Sequence, residues 1–181
     1  MKKHSCGAIL YTIYNNKIYV VLGMEKGEWF PFKGTKDNGE TYEETAIREI
    51  REETCDVIKI NSIKLNCNYS TKRKHYHIGI TQINKNDINQ FYKNRNAILK
   101  NSYAYNLKNY AYLEKTDLKM FSLDDIFQYD FHDITLYPIK YYYTYLKNKQ
   151  KKLNMYISRS PCMLPFQNYI ESSDIIPASH V

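Results

Sequence analysis

Apolar and polar positions along the chain follow two periods, near two and near three to four residues. Residues 5–14 are apolar and β-prone, Asn15-Asn16-Lys17 interrupts them, and residues 18–23 are apolar again, a pattern that predicts a hairpin of two strands. A Gly27-Glu28 turn then leads into Trp29-Phe30-Pro31-Phe32-Lys33-Gly34, read as a further strand and turn. Residues 42–53 read as a short helix, preceded by the turn signal Asp37-Asn38-Gly39. Residues 57–65 and 66–69 alternate like strands, residues 70–74 form a basic turn, and residues 75–83 predict another strand.

The polar stretch 84–100 predicts a loop with a short helix over residues 88–99, and the Tyr-rich residues 102–113 read as strand. A late strand from Leu118 is followed by an expected helix, with Ser122 as N-cap and Asp125 three residues on. Residues 135–152 have helical periodicity with an early Pro138 and a basic end. Residues 158–181, with Pro161, Pro165 and Pro177, read as a tail or wrapping arm, so the expected domain spans residues 1–157. Periodicity alone allows either α/β or α+β.

Composition narrows the picture. A chain of 181 residues with 43% hydrophobic residues is sized for one domain with its own core. No apolar run reaches bilayer length, and the first residues enter a strand without a signal peptide's apolar stretch. The four cysteines, Cys6, Cys55, Cys67 and Cys162, form no C-x-x-C pair, which favours free thiols in a reducing compartment, the cytoplasm. A net charge of +7 suits a polyanionic substrate, RNA among them, or simply aids solubility. The 19 tyrosines, with abundant Asn, Lys and Ile, fit an AT-rich coding genome such as that of a large DNA virus or a microbe.

The strongest chemical signal is acidic. Glu49, Glu52 and Glu53 stand at i, i+3 and i+4 on the predicted helix, so their carboxylates converge on one face. Such crowding destabilises a bare helix, and a hard divalent cation relieves it. An E/R-rich helix elsewhere is most often a solvated face laced with ion pairs. Here the turn-rich approach from Gly34 to Glu40 favours a metal–phosphate site.

These residues resemble the signature of the Nudix hydrolases, G-x5-E-x7-R-E-U-x-E-E-x-G-U, where U is aliphatic. Gly34, Glu40, Arg48, Glu49, Ile50, Glu52 and Glu53 fall in register, and only the last two fixed positions depart, with Cys55 for Gly and Asp56 for an aliphatic residue. The resemblance implies an α/β/α sandwich around a mixed sheet. It implies Mg²⁺ or Mn²⁺ as cofactor, held by Glu49, Glu52, Glu53 and the Gly34 carbonyl. It also implies an Arg48–Glu40 pair that supports the ligand face.

Glu53 is the first candidate for the base, with Glu114 and Asp117 as candidates outside the signature. The implied reaction is hydrolysis of a nucleoside diphosphate linked to another group. Lys33 takes the place that is Lys in the messenger-RNA-decapping branch and Gly in the oxidised-nucleotide branch. With Lys72, Arg73, Lys74, His75 and His77 as substrate contacts, the first expectation is a capped RNA end. The alternatives are a small-molecule diphosphatase, acting on nucleotides, dinucleoside polyphosphates or diphosphoinositol polyphosphates, and a binding module without turnover. A homodimer through the residues after Pro161 is a further expectation.

Overall fold

The computed structural model describes residues 2–105 and 111–159. Its centre is β1 (Lys3–Tyr14), which runs parallel to β6 (Lys74–Gln82) from Lys3↔Lys74 to Tyr11↔Gln82. The other edge of β1 is shared. Its first half pairs with β4 (Phe32–Thr35) and its second half with β2 (Lys17–Glu25), both antiparallel. β2 also carries β3 (Glu28–Phe30) and β7 (Asp117–Ser122), while β5 (Cys67–Ser70) pairs beyond β6. The result is a mixed seven-stranded sheet. The β1–β2 turn is made by Asn15 and Asn16, both at positive φ (46° and 60°), a conformation that asparagine tolerates in tight hairpins.

Side-chain alternation along β1 divides the core in two. Ile9 and Tyr11 face α3 (Asp133–Arg159), where Ile139, Tyr142 and Leu146 are buried. Cys6, Ala8 and Leu10 face α1 (Tyr42–Glu53) and α2 (Lys85–Tyr105), meeting Ala46, Ile50 and Phe91. This is the α/β/α sandwich with a mixed sheet that the resemblance implies. At Gly7 the β4 backbone comes so close that a Cβ would lie 2.0 Å from the Phe32 carbonyl, so β4 can lie against β1 only across a glycine.

Several expected elements differ. Residues 57–66 are not a strand; they form an irregular crossing that buries Ile58 and Ile63. Their alternation reflects these anchors and no ladder. The helix expected over 88–99 is longer, because α2 runs through Tyr105, and residues 111–113 form a 3-10 turn rather than a strand; residues 106–110 lie outside the described residues. Ser122 does not cap a helix after β7. Its hydroxyl accepts from the Asp124 amide, and only the short 3-10 turn Ile126–Gln128 follows. α3 extends to Arg159, and the tail and dimer expectations fall on residues 160–181, outside the described residues.

Pro138 sits inside α3, and a proline there leaves the carbonyl four residues earlier without its helical donor. That carbonyl belongs to Ile134, and the Tyr69 hydroxyl donates to it at 2.8 Å. The bond ties β5 to the start of α3. Tyr69→Phe keeps the ring but removes the donor, and should lower unfolding stability in urea by about 1 kcal/mol. An unchanged urea midpoint would contradict this account of how Pro138 is tolerated.

Candidate active site

The approach to α1 is built from local hydrogen bonds. Thr41 caps the helix: its hydroxyl accepts from the Glu44 amide at 3.1 Å while the Glu44 carboxylate accepts from the Thr41 amide at 2.7 Å. Glu40, one residue earlier, accepts from the Thr45 hydroxyl at 2.8 Å and from the Asp37 amide at 3.3 Å. The far end of α1 is closed by Cys55, at the signature's glycine position, and by Asp56, both at positive φ (55° and 62°). Cys55 is buried there, and its thiol donates to the Tyr112 carbonyl at 3.0 Å, which helps to offset the strain.

Arg48 lies at the centre of the polar network. Its Nε and Nη2 donate to the two oxygens of Glu40 at 2.7 and 3.1 Å. Nη1 reaches Glu49 at 2.8 Å and Glu52 at 3.1 Å, and Nη2 also donates to the Thr35 carbonyl at 3.1 Å. These bonds hold the Glu40 carboxyl well below its usual range, at about 2. They raise the Arg48 guanidinium still further above neutrality, Glu40 contributing most.

Glu49 and Glu53 point inward. Glu49 lies against the Gly34 backbone so closely that a Cβ on Gly34 would meet its carboxylate at 2.0–2.1 Å. Burial, against the pull of Arg48, pushes the Glu49 carboxyl up to about 7. Glu53 is 1% exposed; its Oε2 accepts from the Lys33 amide at 2.7 Å. Its Oε1 lies 3.0 Å from the Lys115 ammonium, yet no donor is aligned to hydrogen-bond it. Burial raises this carboxyl as well, despite Lys115 and Lys33.

Burying the Glu49 and Glu53 carboxylates on one helix face is costly without positive charge around them. Together with the Gly34 cradle, which only hydrogen can fill, it makes this donor set fit a hard cation. The oxygens of Glu25, Glu53 and Glu114 also lie within 4.8 Å of one another.

Of the two acids outside the signature, the structure brings only Glu114 to the site. Asp117 opens β7, where its carboxylate accepts from the Tyr92 hydroxyl and the Leu118 amide. Glu25 and Lys115 were not foreseen. Glu25 ends β2, and nothing in its sequence neighbourhood marks it; Lys115 adjoins Glu114 but is 0% exposed, a state that a lysine in a polar loop does not announce.

The proposed substrate contacts separate into three groups. Lys33, on β4, lies close to Glu53; burial lowers its ammonium pKa although Glu53 pulls the other way. Lys74 reaches the Thr35 hydroxyl at 3.3 Å, whereas Lys72 and Arg73 occupy the exposed β5–β6 turn. His75 and His77 share a face of β6, as the alternation predicts, and are joined by His4 from β1. His4 lies 5.2 Å from each of the two rings, and Tyr42 of α1 stacks on His77 at 4.0 Å. His4 and His77 share a 3.0 Å hydrogen bond. Burial and the two neighbouring histidines lower the His77 pKa. A cavity of about 420 Å³ opens beside His4, lined by Lys3, Thr35, Lys36, Asp37 and Asn38.

A family model described as the NUDIX domain matches residues 4–95, just over half of the chain. The chain belongs to the Nudix family, a class of pyrophosphohydrolases that generally use divalent metals. No curated protein matches the sequence. Among solved structures, it is similar to the Ap4A hydrolase of C. elegans, at 20% identity and a TM-score of 0.50, covering 82% of this chain and 98% of that one. A mutT/nudix family protein from Listeria innocua matches at 12% identity and a TM-score of 0.52, covering 87% and 95%. The NUDIX domain of Shewanella oneidensis NrtR, solved with ADP ribose, matches at 15% identity and a TM-score of 0.53, covering 84% and 89%. At these identities the likeness establishes the fold.

The Glu40–Arg48 pair has a defined pH signature. The folded pKa of Glu40 is depressed, so its stabilisation is present above the ordinary value of 4.5 and is lost as pH falls through about 2. Acid unfolding of the wild type and of Glu40→Gln should therefore differ most near neutrality and converge between about pH 4.5 and 2. A gap that does not change with pH would show that Glu40 acts by packing alone.

Proposed function

We propose that this chain is a divalent-metal-dependent Nudix hydrolase that cleaves the pyrophosphate linkage of a nucleoside diphosphate joined to another group. The observation that carries this reading is the joint burial of two acids from one helix face, Glu49 against the Gly34 backbone and Glu53 against the Lys33 amide. The Gly34 carbonyl, Glu49, Glu52 and Glu53 are the proposed ligands. When bound, Mg²⁺ or Mn²⁺ would neutralise phosphate oxygens and lower the pKa of an attacking water.

The chain's own residues do the rest. Arg48, anchored on Glu40 and Thr35, aims Glu49 and Glu52 from the helix toward the Gly34 turn. Glu53 is the proposed proton acceptor, since burial raises its proton affinity, and the exposed Glu114 beside it is the alternative. Lys33 and Lys74, on the sheet side of the site, would balance the charge of incoming phosphates. The ring stack of Tyr42, His77, His4 and His75 stands beside the start of α1, where it would flank the group attached to the diphosphate.

For that group, we favour a capped RNA end, with release of methylated guanosine diphosphate. The net charge of +7 and the exposed Lys72 and Arg73 support it, because basic side chains follow a phosphate backbone. The placement of Lys33 favours a second reading. Its ammonium serves the acidic cluster, so it is not a free guide for RNA, and a small molecule such as a dinucleoside polyphosphate or a diphosphoinositol polyphosphate would satisfy the same site.

The test is to offer cap-labelled RNA, free nucleotides, dinucleoside polyphosphates and diphosphoinositol phosphates in parallel, with Mg²⁺ or Mn²⁺. Labelled methylated guanosine diphosphate released from long RNA, with free cap analogue spared, is the expected result; turnover confined to the small molecules would replace the first reading by the second. Glu52→Gln and Glu53→Gln should each reduce turnover at least about 100-fold while keeping the fold, the scale of losing one pre-organised electrostatic partner. Surviving activity in both would sink the ligand assignment, and no turnover of any substrate by the wild type would leave a binding module.

A further inference from the structure

Lys115 is a fully buried lysine inside an acidic pocket. Its stem lies over Gly23 of β2, where a Cβ would come within 2.8 Å of its Cδ and 2.9 Å of its Cγ. Its ammonium is 2.8 Å from Glu25 Oε2 and 3.0 Å from Glu53 Oε1, and 5.7 Å from the centre of the Phe30 ring. The backbone around it is fastened on both sides: Arg95 donates to the Lys115 carbonyl at 3.1 Å, and the Thr116 amide donates to the Met24 carbonyl at 2.9 Å.

The same carboxylates, Glu25 and Glu53 with Glu114, have their oxygens within 4.8 Å of one another, the spacing of a hard-cation donor set. Glu53 Oε1 is buried and receives no aligned hydrogen bond even with the ammonium beside it. A strong hydrogen bond needs alignment, whereas a charge needs only proximity. Lys115 therefore acts here as a point charge, in the way that a metal ion would. The glycine at position 23 gives its stem the room to reach this place.

We propose that Lys115 is a resident cation that fills the Glu25–Glu53–Glu114 pocket in place of a divalent ion, and so confines metal to the Gly34 side of Glu49, Glu52 and Glu53. This rests on the reading that α1 holds metal. Glu53 is then shared: Oε1 faces the fixed charge, and Oε2, which faces β4 and the Gly34 turn, is the oxygen left to the metal. Lys115 is a positioning residue. It limits how many metal ions the site accepts and holds Glu53 against the sheet.

The experiment is a Mn²⁺ titration of the full chain, followed by the electron paramagnetic resonance signal of free Mn²⁺ and by calorimetry. Lys115→Met should bind one more Mn²⁺ per chain than the wild type, and adding Glu25→Gln should remove the extra ion. An equal or smaller number of ions in Lys115→Met overturns the proposal. Should that variant lose its cooperative melt, Lys115→Gln keeps an amide donor for Glu25, and the same gain of one ion is expected; its absence there is equally decisive. Glu52→Gln in the wild-type background separates the two ideas. If it leaves Mn²⁺ binding unchanged, the assignment of metal to α1 fails, whereas the gain in Lys115→Met still judges the resident cation.

Discussion

A single guanidinium organises the acidic end of this molecule. Arg48 touches Glu40, Glu49, Glu52 and the Thr35 carbonyl at once, and those groups come from the approach loop, the helix and the end of β4. Without it, three carboxylates on one helical face would repel one another and splay into solvent. With it, the planar fork of donors fixes where each carboxylate lies, a task that a lysine's single ammonium cannot perform. The capping box at Thr41 and Glu44 sets the start of the helix, and Ala46 and Ile50 pin its inner face to the sheet. Arg48 then turns a helix position into a side-chain position.

The sheet supplies the second half of the constraint. β1 pairs with β6 from Lys3 to Tyr11 and divides its other edge between β4 and β2, so the Gly34 turn and the end of β2 come to the Glu49 and Glu53 side of α1, and the histidine face of β6 meets its first residue, Tyr42. Close packing at Gly7 brings β4 in, and the hydrogen atom of Gly34 leaves space for the Glu49 carboxylate. On the other side of the site, Gly23 makes room for Lys115. Three glycines thus shape the acidic centre by what they lack, and Arg48 and Lys115 balance its charge.

What was legible in the sequence was what local spacing encodes. The i, i+3, i+4 carboxylates, the turn before them and the hairpin of residues 5–23 all depend on neighbours within a few positions. Glu25, Lys115 and His4 were not legible because each reaches the site through pairing between strands far apart in sequence, β2 with β7 and β1 with β6. Asp117 and Glu114 illustrate the limit well. They are three residues apart and chemically alike, and only the start of β7, which hands Asp117 to Tyr92, separates them. The irregular crossing of residues 57–66 misled for a related reason: the pairs Ile58/Ile60 and Ile63/Leu65 alternate and pack on the core without a strand partner.

The central claim is that the carboxylates of α1, aimed by Arg48 across Gly34, form the metal centre. Its most direct test is anomalous diffraction from crystals soaked in Mn²⁺. The account predicts a peak within coordination distance of the Gly34 carbonyl and the carboxylates of Glu49 and Glu52, with Glu53 alongside. A peak seated instead among His4, His75 and His77, or no peak near α1 at saturating Mn²⁺, would contradict it.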